Sequence, residues 1–195
     1  ELFETQTYFP TSARFDGSND KLTLSSNLTS AADGKLAFYS FWVNLNGGDG
    51  SIMHIHSGTD AGGGNLYVNG IEDLKAGFTH LDTNAVGELT AWTVGGAPGG
   101  ELLNGDLADF IYAQQYIDLS DAANRAKFIT TDGFPVAWAT SLAAISSPKI
   151  AMHLDDGEAV ANFANNADGT GQAFTVGGTL TDGADATVIK NSFLL

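Results

Sequence analysis

Clusters of glycine, asparagine and aspartate cut this chain into short apolar segments, and that punctuation restricts the fold more than any other feature. Asp16-Gly17-Ser18-Asn19, Asn46-Gly47-Gly48-Asp49-Gly50, Gly62-Gly63-Gly64-Asn65 and Asn165-Asn166-Ala167-Asp168-Gly169 all read as tight turns. Turns at intervals of roughly 8–20 residues are the mark of a β-sandwich or barrel. The 24 glycines supply the positive φ that such turns demand, and the 12 phenylalanines suit half-buried pleated surfaces.

The segments between turns carry the two-residue period of strands. Leu36 to Val43 is apolar at nearly every position and predicts a central strand buried on both faces, with Trp42 inside. Leu89 to Val94 and Phe174 to Val176 repeat the idiom, each closed by a Gly-Gly pair. Ser120 to Phe128 departs from it. A capping-type serine, an acidic first turn, alanines and then Arg125 and Lys127 predict a short helix that Phe128 anchors to the sheet. Within 195 residues this reads as one domain spanning 1–195, without a linker or internal repeat.

Charge narrows the function. With 23 acidic against 8 basic side chains the net charge is −15, which disfavours phosphate backbones and anionic lipid as partners. No apolar run reaches the ~20 residues of a membrane helix, and no basic-then-apolar leader opens the sequence. Position 1 is Glu1, which leaves open a processed terminus or a piece of something longer. The absence of cysteine removes disulfides, thiolate zinc sites and cysteine nucleophiles together.

Candidate chemistry is sparse. His54 and His56 share one side of a strand-like segment, and Gly48 stands at cupin-like spacing before them. The match fails at Asp60 and Ala61, where a cupin carries glutamate, so both histidines are read as decorating a solvent-facing surface. Calcium takes oxygens from turns, which makes Asp155, Asp156, Asn165, Asn166 and Asp168 its candidate ligands; the alternative is ordinary turns whose side chains bond their own backbone. Trp92 and Trp138 are candidate platforms for stacking on a sugar ring, against the alternative that they fill the core. No Gly-x-Ser-x-Gly elbow, Walker motif or dinucleotide glycine motif occurs, and no two glutamates alternate within a strand as a glycosidase pair. No catalytic residue is assigned.

Gly105 to Tyr112, Tyr116 to Phe128, Asp132 to Val136 and Asn162 to Gly171 together resemble the laminin-G-like, concanavalin A-like lectin/glucanase domains of bacteriophage and prophage virion proteins. Arg14 to Leu22 is similar to the opening of such a domain, and Phe38 to Val43 to its tryptophan-bearing strand. The resemblance implies an all-β, two-sheet antiparallel jelly-roll sandwich, here with one short helix, whose rim binds glycans and often calcium. The glucanase Glu-x-Asp-x-x-Glu strand and the alginate-lyase strands of that superfamily are not matched. The expectation is a non-enzymatic virion protein on the particle surface: a capsid decoration, fibre or tail-associated module. Its partners are other virion proteins, cell-surface glycan and further copies of itself, with neither nucleic acid nor membrane. The alternatives are a soluble or cell-surface carbohydrate-binding module, and a polysaccharide hydrolase or lyase.

Overall fold

The computed structural model describes residues 8–32, 36–47, 53–55, 67–68, 71–72, 92–96, 100–184 and 191–194. The strands are β1 Ala13–Asp16, β2 Lys21–Thr23, β3 Phe38–Leu45, β4 Met53–Ile55, β5 Tyr67–Val68 and β6 Ile71–Glu72, followed by β7 Trp92–Val94, β8 Asn104–Ala113, β9 Ile150–Met152, β10 Thr175–Gly177, β11 Thr181–Asp182 and β12 Asn191–Leu194. They form two antiparallel sheets. The larger runs β11–β1–β8–β3–β12–β5–β6, with β9 also on β8, and the smaller runs β10–β2–β7–β4.

The two sheets bury a shared core. Phe15, Phe41, Val43, Leu107, Phe110, Tyr112, Ile150 and Met152 of the larger sheet meet Leu22, Trp92 and Val94 of the smaller in one cluster. Trp92 crosses that interface, its ring centroid 4.7 Å from that of Tyr112. Gly95, which follows β7 at φ 79°, is held to glycine from both sides. A Cβ there would lie 2.4 Å from the Phe15 ring, inside any allowed contact.

β3 meets its sequence expectation, although it begins at Phe38: Leu36 is exposed, and the strand from Phe38 to Val43 is buried apart from half-buried Tyr39. The strand at the centre of the larger sheet is β8, buried at every residue after Asn104. It carries β3 on one edge, and β1 followed by β9 on the other.

The outer face of β3, β8 and β9 is covered too, by a layer that the expectation of one short helix did not contain. α1 spans only Ala122–Arg125, and its cap is Asp121, whose carboxylate accepts the Ala123 N–H at 2.9 Å. Ser120, expected as the cap, instead donates to Asp118 at 2.6 Å. Phe128 does anchor the segment, 4.9 Å from the Phe38 ring. A second helix, α2 at Trp138–Ala143, and a 3₁₀ helix at Val160–Asn165 correct the count. Six residues are too few for a 3.6-residue period to declare itself in sequence. Phe38, Trp42, Ala108, Ile111, Ala113 and Ala151 of the sheet pack there against Leu119, Phe128, Ile129, Trp138 and Ile145.

Candidate functional site

An irregularity in β8 creates the principal polar cluster. Ser40 pairs with Ile111 and Trp42 with Ala108, so Phe41 alone faces both Asp109 and Phe110. The extra residue is Asp109, in the left-handed region at φ 51°. Such a bulge resets the alternation of the strand. Leu107 and Phe110, an odd number of positions apart, therefore both reach the inter-sheet core, while Ala108 and Ile111 belong to the outer layer. Asp109 turns its carboxylate into that outer layer and is buried there.

A buried carboxylate needs donors, and distant parts of the chain supply them. His153, directly after β9, places Nδ1 2.8 Å from Asp109 Oδ1. The Tyr8 hydroxyl donates to both carboxylate oxygens, at 3.2 and 3.0 Å. The same hydroxyl accepts the backbone N–H of Trp138. This serves the start of α2, where Ala137 at the N-cap position has no side chain able to do so. The His153 and Trp138 rings stack at 4.9 Å and 10°. Trp138 Nε1 donates to Asp168 at 2.8 Å, and His153 Nε2 stands 3.4 Å from Asp155.

The electrostatics follow from burial and from these neighbours. Burial pushes the Asp109 carboxyl up, although His153 and Tyr8 pull it back. Burial acts downward on His153 but is outweighed by Asp109 and then Asp155, so its imidazole titrates above the ordinary value. Burial, then Asp109, raises the Tyr8 phenol. With Asp109 ionised, the Nδ1 position must carry a proton, and the protonated ring donates toward Asp109 and Asp155 together. Chemically this is a histidine–carboxylate pair with an indole stacked on the imidazole ring.

A second polar cluster lies three residues earlier on β8, at Asp106. Arg14, Asp106 and Asn44 sit in register across β1, β8 and β3. Arg14 grips Asp106 with both ends of its fork, at 2.5 and 2.9 Å, and Asn44 donates to the same carboxylate at 3.2 Å. Asp106 is 0% exposed.

The residues singled out in sequence have other occupations. Trp92 is 1% exposed and lies in the inter-sheet core, and Trp138 is 8% exposed between His153 and the outer layer. Neither indole offers an open face to a sugar, which corrects the platform expectation in favour of the core. Among the proposed calcium ligands, Asn166 is buried at φ 52°, with Oδ1 accepting Ala151 N–H at 2.6 Å and Nδ2 donating to the Lys149 and Gly171 carbonyls at 3.1 and 2.9 Å. Asn165 donates to Asn162, Asp168 accepts from Trp138 and Asp155 faces His153, while Asp156 is exposed in its turn. Among the described residues no group of three or more histidine, aspartate or glutamate side chains is placed to hold a metal ion. His54 lies on β4 opposite Thr93, and His56 falls outside the described residues.

Tyr8, Arg14, Asp106, Asp109 and His153 were not singled out by sequence reasoning. A signal existed: two aspartates inside an apolar run, in a chain with only 4 histidines and 8 lysines and arginines to pair them, demand named partners.

No family model, no curated protein and no solved structure matches the chain. Among the described residues no helix is long and apolar enough to cross a membrane.

Proposed function

We propose that this chain is a non-enzymatic structural and adhesion protein of a bacteriophage virion, a capsid decoration, fibre or tail-associated module built as a concanavalin A-like jelly-roll sandwich. The observation that carries the reading is the use made of its polar groups. Asp106, Asp109, His153, Asn166 and Asp168, the kinds of side chain an active site would draw on, are each spent on joining one part of the fold to another. A molecule fastened this way suits a role in which shape and surface do the work. The net charge of −15 supports it, since like-charged coats repel and stay dispersed. The test is mass spectrometry of purified particles from a host carrying the gene: the protein present at fixed copy number per particle supports the reading, and its absence from clean particles refutes it.

A carbohydrate-binding module is the second reading, favoured by one observation. Tyr116 is 72% exposed just beyond β8, beside Gln115, which accepts the Ser146 N–H at 2.9 Å and donates to the Ala144 carbonyl at 3.1 Å. An open aromatic ring on a pinned loop is a stacking surface for a pyranose. Glycan-array binding that disappears in Tyr116→Ala supports this reading, and a blank array for the parent protein removes it.

A further inference from the structure

The polar cluster around Asp109 joins elements that are far apart in sequence. Tyr8 lies in the stretch leading into β1, 101 positions before its partner. Asp109 belongs to the central strand, His153 to the end of β9, and Trp138 to the first turn of α2. The Tyr8 hydroxyl thus ties the chain entering the sheet both to the bulge and to the helix that covers it.

The charges acting on His153 are both acidic. From β8 comes Asp109, and from its own loop comes Asp155. α2 contributes the Trp138 indole, whose Nε1 donates to Asp168, and the N-terminal stretch contributes the Tyr8 hydroxyl. With both ring nitrogens protonated, one N–H serves Asp109 and the other points at Asp155. With Asp109 ionised Nδ1 keeps its proton, so the loss falls on Nε2 and leaves a lone pair facing the Asp155 carboxylate at 3.4 Å. The buried Asp109 then faces the remaining acids without a cation beside it.

We propose that Tyr8, Asp109 and His153 form a proton-operated latch, which holds the chain entering β1 against the outer layer while His153 is charged and loosens when that charge is lost. The direction follows from linkage. A histidine whose folded value is raised contributes stability that is complete below its ordinary 6.5 and is lost as pH rises through the folded value. Asp109, also raised, acts in the same direction from 3.8 upward.

Amide hydrogen exchange at residues 8–12 of the full chain, corrected for intrinsic rates, tests the latch between pH 5.5 and 8.5. Protection in the parent should fall with rising pH, by about tenfold for each pH unit that separates the titration midpoints of His153 in the closed and open states. His153→Gln can still donate to Asp109 but lacks the imidazole proton, so its protection should vary with pH less steeply than the parent's, by the Asp109 contribution alone. Tyr8→Phe should exchange fast at both ends of the range. Equal protection at both pH values in the parent, or a parent-like slope in His153→Gln, overturns the proposal. If the glutamine variant does not fold, an NMR titration of His153 in the parent decides: a midpoint above 6.5 supports the latch, and one at or below it refutes it.

Discussion

Replacing Asn166 tests whether a residue that reads as a turn ligand is in fact an internal peg. Its amide satisfies the Ala151 N–H and the Gly171 carbonyl, and shares the Lys149 carbonyl with the Gly171 N–H. Asn166→Ala therefore strands chiefly one donor and one acceptor, because Lys149 keeps its second partner. At about 1–3 kcal/mol for each buried group left unpaired, the bonds cost about 2–6 kcal/mol. Alanine also occupies φ 52° poorly, which adds about 1 kcal/mol. The sum is about 3–7 kcal/mol, or a fall in melting temperature of about 6–28 °C for a chain of this size. Asn166→Gly loses the same bonds without the backbone strain, so it should be more stable than Asn166→Ala by about 1 kcal/mol. Urea denaturation followed by tryptophan fluorescence, with melting by circular dichroism, measures both. An alanine variant within 1 kcal/mol (about) of the parent, or a glycine variant below alanine, refutes the peg.

Other perturbations probe the rest of the scaffold. Among the described residues Arg14→Ala leaves the Asp106 carboxylate with the Asn44 side chain as its donor, and should cost about 2–4 kcal/mol, somewhat below a fully buried pair because water reaches the arginine side. Arg14→Met combined with Asp106→Leu should recover most of that loss in the same urea titration. Trp92→Ala should cost about 3–5 kcal/mol, since the indole fills the space between the sheets; a parent-like urea midpoint would contradict its core position. On the acid side, hydrogen bonds from the Ser18 and Asn19 N–H groups hold Asp16 below the ordinary carboxylate range, and the Ser120 hydroxyl and N–H do the same for Asp118. Their contribution is present above 3.8 and lost as pH falls through the folded values, so Asp16→Asn with Asp118→Asn should flatten the acid limb of melting temperature against pH.

Local chemistry made much of the architecture readable. Glycine and Asx turns, and the nearly unbroken apolar run through Phe38 to Val43, announce strands because their backbone preferences act within a few residues. The turn at Asp16 to Asn19 closes as expected, with the Asp16 carboxylate accepting the Ser18 and Asn19 N–H groups. β8 was harder to see as a strand, since Asp106 and Asp109 interrupt its alternation and the bulge shifts its phase. α2 is too short to carry a period.

The sequence alone determined the β-rich, turn-punctuated character of the chain and its acidic surface, properties summed over neighbouring residues or over composition. Only the tertiary structure decided which polar side chains matter. Tyr8 meets Asp109 across 101 positions, Arg14 meets Asp106 across 92, and Asn166 reaches back to the Ala151 amide across 15. Such pairings depend on strand register and on one extra residue in β8. A carboxylate written into a strand calls for a partner, but the packing of the sheets chooses which one arrives.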